Sequence, residues 1–162
     1  MNRPSLSVFL EAPTGLDEDR PIERVEAVEL RLQRVLGAVI DRIGREEAVE
    51  AAGIDREQAV EVVAVVNGDR STPVANLTVA DAAALIAAEM AFPRDEVRGR
   101  IRDHLLITMS REPTDIDELS ETYGFGDSRR LRARINGEEP LSLRDYARLR
   151  VALAPSEQNH NP

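Results

Sequence analysis

A chain of 162 residues is long enough for one sizeable domain or two small ones. Its 21 basic residues are all arginine, and its 30 acidic residues leave a net charge of −9. The absence of cysteine excludes disulfides, thiolate nucleophiles and cysteine-based zinc sites. No apolar run approaches the roughly 20 residues of a membrane-spanning helix, so we expect a soluble, cytoplasmic protein with no membrane partner.

Acidity without lysine is typical of two kinds of source. A salt-loaded cytoplasm favours carboxylates, which stay hydrated and keep a protein in solution, and this points to a halophilic archaeon. A genome rich in G and C gives a similar bias, because arginine codons displace lysine codons, as in an actinobacterium. We take the halophilic archaeon as the leading interpretation.

The first part of the chain changes character near Pro21. Residues 1–20 hold two prolines, a glycine and an acidic run without any apolar period, which predicts a flexible N-terminal arm. From Ile22 to Ile43, apolar side chains recur at steps of three and four, which predicts a long amphipathic helix that Gly44 ends. This helix is either the spine for the helices that follow or a dimer seam.

The segment after this helix carries two cap signals. Asp55 precedes a valine-rich stretch, and Thr78 with Asp81 forms a capping box. The valine-rich stretch is open to interpretation as a strand. We predict a largely buried helix, because the matching segment later in the chain spaces Leu131 and Ile135 four residues apart. The predicted helices cover residues 46–52, 55–66 and 78–90.

A linking helix and a second set of three helices follow. Pro93 suits the first turn of the linking helix, while Thr114 and Ser142 are expected to cap two of the later ones. Gly137 is expected to close the helix before it in a left-handed conformation. The polar tail from Pro155 is predicted to be disordered. These predicted helices cover residues 93–110, 115–123, 127–136 and 142–153.

The chain contains an internal repeat. The segment Leu77–Leu85 returns 64 positions later as Leu141–Leu149, and an Asn-Gly pair precedes each copy. We therefore predict an all-α protein in which two degenerate, tandem helix-turn-helix-like units pack into one compact body. The predicted divisions are an arm, a first unit, a second unit and a tail, at residues 1–20, 21–92, 93–154 and 155–162.

Residues 114–153 resemble a helix-turn-helix of the Cro and lambda-repressor type. The segment from Asp115 to Gly124 resembles the first helix and turn glycine of that family; Arg134-Ile135-Asn136-Gly137 resembles the end of its recognition helix. Gly124 and Gly137 are one residue further apart than is usual in the family. A further resemblance, carried by Asp103–Leu106, is to acidic haloarchaeal proteins and implies a source without a function. The first resemblance implies DNA binding by the second helix of the motif.

The helix at 127–136 has two chemically different sides. Leu131 and Ile135 define its buried side, and a rotation of 100° per residue places arginines opposite them. Arginine forks suit guanine edges and phosphates, so we predict a DNA-binding protein that acts in transcription. We expect it to be a homodimer, because such units reach two half-sites as pairs. The candidate DNA-binding residues are Ser128, Arg129, Arg130, Arg132, Ala133, Arg134 and Asn136.

Two other interpretations stay open. The same arginines can form a solvated face in which Arg134 pairs with Glu138 and Arg130 with Asp127. The protein is then a non-catalytic adaptor with a protein partner. Neither interpretation needs an enzyme, a cofactor or a metal: no histidine and carboxylate cluster is visible, and His104 is expected to be structural or exposed.

Overall fold

The computed structural model describes residues 5–10, 21–111 and 115–153, and within these ranges it contains helices and no strand. The prediction of an all-α fold is confirmed. Most predicted helix ends are correct to within one residue. The helices are α1 (Ser5–Leu10), α2 (Pro21–Ile43), α3 (Arg45–Ala52), α4 (Arg56–Val66), α5 (Val79–Met90), α6 (Arg94–Arg111), α7 (Ile116–Tyr123), α8 (Ser128–Ile135) and α9 (Leu143–Ala152).

The long helix α2 lies at the centre of the molecule. Its apolar stripe, which includes the fully buried Leu36, Val39 and Ile40, packs against α3, α4, α5 and α9. The stripe is therefore covered by the helices of the same chain, as expected for a spine. Gly37, next to Leu36, faces the backbone of Val62 and lets α4 approach closely.

The valine-rich segment is a helix, and the alternative of a strand is wrong. Asp55 and Gln58 form a capping box at the start of α4, and this local signal favours a helix over an extended strand. Val62 and Val65 are buried, but Val60 is 44% exposed. The helix thus buries one side only, because α2 and its neighbours cover that side.

The two predicted repeats share their backbone geometry. Gly53 and Gly124 both end a helix in the left-handed conformation, with φ of 67° and 71°. Asn67 and Asn136 both have φ −76° and ψ −5° at the ends of α4 and α8. The repeat is therefore structural as well as sequential, since equivalent residues make equivalent turns.

The repeats meet through a pair of backbone hydrogen bonds at equivalent positions. The N–H of Val79 donates to the carbonyl of Leu141 at 2.9 Å, and the N–H of Leu143 donates to the carbonyl of Leu77 at 2.8 Å. These bonds form an isolated antiparallel bridge between the caps of α5 and α9. Val79 and Leu143 are equivalent positions of the two repeats, and so are Leu77 and Leu141. A two-fold rotation that exchanges the repeats therefore exchanges the two hydrogen bonds.

A buried glutamine fixes the loop that leads to this bridge. Gln33 on α2 is fully buried, its Nε2 donates to the carbonyl of Val74 at 2.9 Å, and its Oε1 accepts from the N–H of Val74 at 2.7 Å. Buried polar groups are costly unless they are paired. The two bonds satisfy both the amide and the loop backbone, and they hold the loop against α2.

The N-terminal segment differs from the predicted flexible arm at residues 5–10. These residues form α1, which buries Leu6 and Phe9 against the core. The Phe9 ring stacks on Tyr146 of α9, with 5.0 Å between centroids and 14° between planes. A helix of six residues is too short to show a period, which explains why the sequence did not reveal it. The rest of the predicted arm and the tail from Pro155 lie outside the described residues.

Candidate nucleic-acid interface

Helices α7 and α8 are joined by a short turn with defined caps. The Asp115 carboxylate begins α7 by accepting from the backbone N–H groups of Asp117 and Glu118 at 2.9 and 3.5 Å. The predicted cap, Thr114, lies outside the described residues. Gly124 ends α7, and the Asp127 carboxylate begins α8 by accepting from the Arg129 N–H at 2.9 Å. Capping carboxylates fix the residues at which both helices begin, so the start of α8 is set by residues close to it in the chain.

The buried side of α8 is the one that the sequence predicted. Leu131 and Ile135 are 1% and 4% exposed. Arg129, Arg130 and Arg132 are exposed on the remaining surface of the helix. This arrangement places three cationic side chains in solvent on a helix of only eight residues.

These three side chains, which we call the open arginines, make no ion pair or side-chain hydrogen bond with the part of the chain that the structure describes. The proposed pair between Arg130 and Asp127 does not form, and that part of the solvated-face interpretation is wrong. Asp127 instead caps the helix through its Oδ1. The guanidinium groups of the open arginines are therefore available to an anionic partner.

Arg134 is held by neighbouring carboxylates, unlike the open arginines. Its Nη1 donates to Oδ2 of Asp145 at 3.0 Å, and its Nε lies 3.9 Å from Glu139. The expected partner Glu138 is not the one used. Asp145 has a side chain only 12% exposed and also accepts from Arg148 at 2.9 Å. Arg134 thus tethers α8 to α9. Its guanidinium group is held by carboxylates, and this does not fit the predicted contact of Arg134 with DNA phosphates.

The other three candidate residues differ in exposure. Ser128 and Ala133 are half-buried, whereas Asn136 is exposed at the end of α8. Asn136 has ordinary helical angles, and the next residue, Gly137, has the positive φ, 83°, that turns the chain. The Asn136 side chain lies at the far end of α8 from Arg129, so these two residues do not form one contact point.

The equivalent helix of the first repeat has no such cationic surface. Helix α4 carries Glu57, Gln58 and Val60 at the positions that match the open arginines, and its main contact is with α2. None of these three side chains is cationic. Only the second repeat therefore offers an arginine-rich surface in this position.

Residues 28–156 match a family of unknown function, DUF5791. The chain belongs to this family. No curated protein matches the chain, and no solved structure matches it. The DUF5791 match begins within α2 and extends through both repeats, so the bridge and the open arginines all fall inside it.

His104 lies on α6 beside a buried arginine. Its Nδ1 is 3.4 Å from Nη1 of Arg150, which is 4% exposed and also donates to the carbonyl of Leu10. Burial lowers the pKa of His104 below its usual 6.5, and the charges of Arg150 and Arg111 lower it further. His104 is thus neutral in the fold over part of the range in which it is protonated in the unfolded chain.

This lowered pKa predicts a loss of stability in mild acid. The unfolded state gains a proton as pH falls through about 6.5, while folded His104 stays neutral until its lower pKa is reached. We expect the midpoint of thermal unfolding to fall less between pH 7.5 and 5.5 in His104→Gln than in the natural protein. Parallel pH profiles for the two proteins would contradict this prediction. Both proteins retain His160, so that residue cancels from the comparison.

Metal-binding clusters and membrane-spanning helices are both absent from the described ranges. Among those residues, no three histidine, aspartate or glutamate side chains are grouped so that they could hold a metal ion. None of the helices α1 to α9 combines the length and apolar character needed to cross a membrane.

Proposed function

We propose that this protein binds double-stranded DNA through α8, with Arg129 and Arg130 reading base edges or phosphates and Arg132 contacting the flanking backbone. The observation that carries the proposal is the exposure of the three open arginines, without carboxylate partners among the described residues. Guanidinium groups bind phosphate and guanine through planar pairs of donors. The short capped connection between α7 and α8 supports presentation of these side chains on one rigid helix.

The net charge of −9 is distributed unevenly along the chain, so it opposes DNA binding more in one part than in the other. Residues 1–93 contain 9 arginines and 17 acidic residues, whereas residues 94–162 contain 12 arginines and 13 acidic residues. DNA would approach the second part, where the charges nearly balance. In the salt-loaded cytoplasm of a halophilic archaeon, which we propose as the setting, a basic surface gains little from counterion release. Direct arginine contacts then matter more than overall charge.

A two-fold dimer is part of the proposal, because paired units reach two half-sites of DNA. Since other helices of the same chain cover the apolar stripe of α2, this helix is a poor dimer seam. Val60 on α4 is 44% exposed and offers an apolar contact in the first repeat. The dimer would thus form through the first repeat and leave α8 free.

The second candidate function is that of a non-catalytic adaptor for a protein partner. The tether between Arg134 and Asp145 favours it, because this contact removes one arginine from the surface that would meet DNA. Three large apolar side chains, Val60, Phe92 and Ile107, are exposed as well. An acidic partner protein would use the open arginines in the same way as DNA.

Binding of labelled genomic DNA fragments across a series reaching molar KCl separates the two functions. We expect Arg129→Ala with Arg130→Ala to weaken retention at least about tenfold, because each well-formed arginine contact is worth about 1–3 kcal/mol. The matched control is Arg45→Ala with Arg56→Ala, which removes the same charge from exposed positions in the first repeat. We expect the control to bind as the natural protein does.

Three results would contradict DNA binding by α8. One is that the Arg129 and Arg130 double variant retains as much DNA as the natural protein does. Another is that the natural protein retains no DNA at any salt concentration, which would favour the adaptor. Equal losses in the double variant and the control would also contradict the proposal, since they would indicate a nonspecific effect of net charge.

A further inference from the structure

A cleft of about 280 Å³ opens between α6 and the turn that joins α8 to α9. This volume is near the lower end of the range found for small-molecule sites, about 300–1,000 Å³. Most of the surface inside the cleft is apolar, and arginines and glutamates line its edge. The apolar lining residues are Val79, Ile101, Leu105, Ile135, Leu141 and Tyr146.

The cleft exists because the two repeats use their long helices differently. In the first repeat, α2 packs directly on α4, with Gly37 at the close approach. In the second repeat, α6 packs mainly on α5 and makes little contact with α8. The cleft thus lies where α6 and α8 make little contact, and Ile135 of α8 is one of its lining residues.

Two arginines of α6 converge on the same edge of the cleft. Nη2 of Arg98 donates to the carbonyl of Gly137 at 3.4 Å. A Cβ atom placed on Gly137 would lie 3.7 Å from Nη2 of Arg98 and 3.8 Å from Nη1 of Arg102. The two guanidinium groups therefore approach one point on the α8–α9 turn from adjacent turns of α6.

Neither of these arginines pairs with a carboxylate in residues 5–10, 21–111 or 115–153. Asp95 and Arg98 stand three residues apart on α6 and do not pair, although Glu96 and Arg100 do, at 2.9 Å. Like charges four residues apart on a helix repel each other. Two carboxylates, Glu138 and Glu139, also line the cleft, and Glu139 lies 3.9 Å from Arg134. Among the described residues, neither glutamate comes within 4.0 Å of the guanidinium groups of Arg98 and Arg102, which leaves both groups open to an anion.

We propose that this cleft binds a small amphipathic anion, an aliphatic carboxylate. Its carboxylate would pair with Arg98 and Arg102, and its hydrocarbon body would cover Ile101, Leu105 and Ile135. Guanidinium groups bind carboxylates through paired, charge-assisted hydrogen bonds, and the apolar floor rewards burial of a chain. This site is separate from the open arginines, so it does not depend on DNA binding.

Calorimetric titration of the full chain tests the proposal with octanoate as the probe. Acetate supplies the head group without the chain, and octylamine supplies the chain with the opposite charge. We expect saturable binding of octanoate, and at least about tenfold weaker binding of acetate and of octylamine. Equal binding of octanoate and octylamine would overturn the role of the arginines, and no binding of octanoate would overturn the site.

Variants of α6 locate the site. We expect Arg98→Gln with Arg102→Gln to weaken octanoate binding at least about tenfold, because charge-assisted hydrogen bonds are lost. Both side chains are exposed, so the fold is expected to tolerate the change. Arg100→Gln is the matched control on the same helix, since Arg100 pairs with Glu96 and lies outside the cleft. Unchanged binding in the double variant, or an equal loss in the control, would overturn the assignment.

Discussion

Gly37→Ala is expected to destabilise the fold by roughly 1–2 kcal/mol, because forcing extra volume into a packed contact costs up to about 3 kcal/mol and the higher helix propensity of alanine offsets about 0.8–1.0 kcal/mol of that cost. The new Cβ atom would lie 2.7 Å from the backbone oxygen of Val62 and would also overlap a methyl group of Val66. A methyl group can turn away, but a helix backbone cannot move without shifting α4 from α2. Urea denaturation followed by circular dichroism would measure the change.

The matched control is Gly99→Ala, in the middle of α6. A Cβ atom on Gly99 would meet no other atom within 4 Å. Alanine exceeds glycine in helix propensity by about 0.8–1.0 kcal/mol, so this variant is expected to gain stability by up to that amount. The two substitutions should therefore have opposite signs. A Gly37→Ala variant as stable as Gly99→Ala would show that α2 and α4 are not in close contact.

The helices could be predicted because their signals are local in sequence. The stripe of α2 repeats every three or four residues, and the box formed by Thr78 and Asp81 spans four residues of chain. The capping box of Asp55 and Gln58 likewise spans four residues, at the start of the valine-rich helix. Each of these features depends only on neighbours along the chain, and so the sequence alone reveals it.

Contacts between distant segments could not be predicted in the same way. The salt bridge between Arg134 and Asp145 joins residues 11 apart across a turn, where sequence spacing gives no geometric rule. Sequence reasoning instead chose Glu138, because pairs four residues apart are neighbours on a continuous helix. Helix α8 ends before Glu138, so this rule does not apply there.

The candidate sites, too, could be predicted only where their signals are local in sequence. The exposed side of α8 followed from its buried pair, Leu131 and Ile135, so the open arginines could be predicted from periodicity. The convergence of Arg98 and Arg102 on Gly137 could not, because it depends on how α6 lies against the turn between α8 and α9. The available signal was a pair of arginines four residues apart on a helix, with no acidic residue between them. The same pattern also occurs on ordinary solvated helix surfaces.

Phe9→Ala is expected to destabilise the protein by about 3–5 kcal/mol, the cost of removing a fully buried aromatic side chain. The Phe9 ring is 0% exposed and stacks on Tyr146, whose hydroxyl donates to the Phe9 carbonyl at 3.4 Å. Loss of the ring would leave a cavity beside Tyr146 that the surrounding helices cannot easily fill. Urea denaturation at neutral pH would measure the loss.

Phe92→Ala is the control for this prediction, because Phe92 is 42% exposed and contacts Arg100 at 5.5 Å from its ring centroid. Its removal is expected to cost less than about 1 kcal/mol, as for an exposed cation–π contact. A flexible arm, as the sequence predicted for residues 1–20, would make both phenylalanines equally dispensable. A large effect of Phe9→Ala alone would establish that α1 completes the core, since removing a ring from a solvated arm opens no cavity.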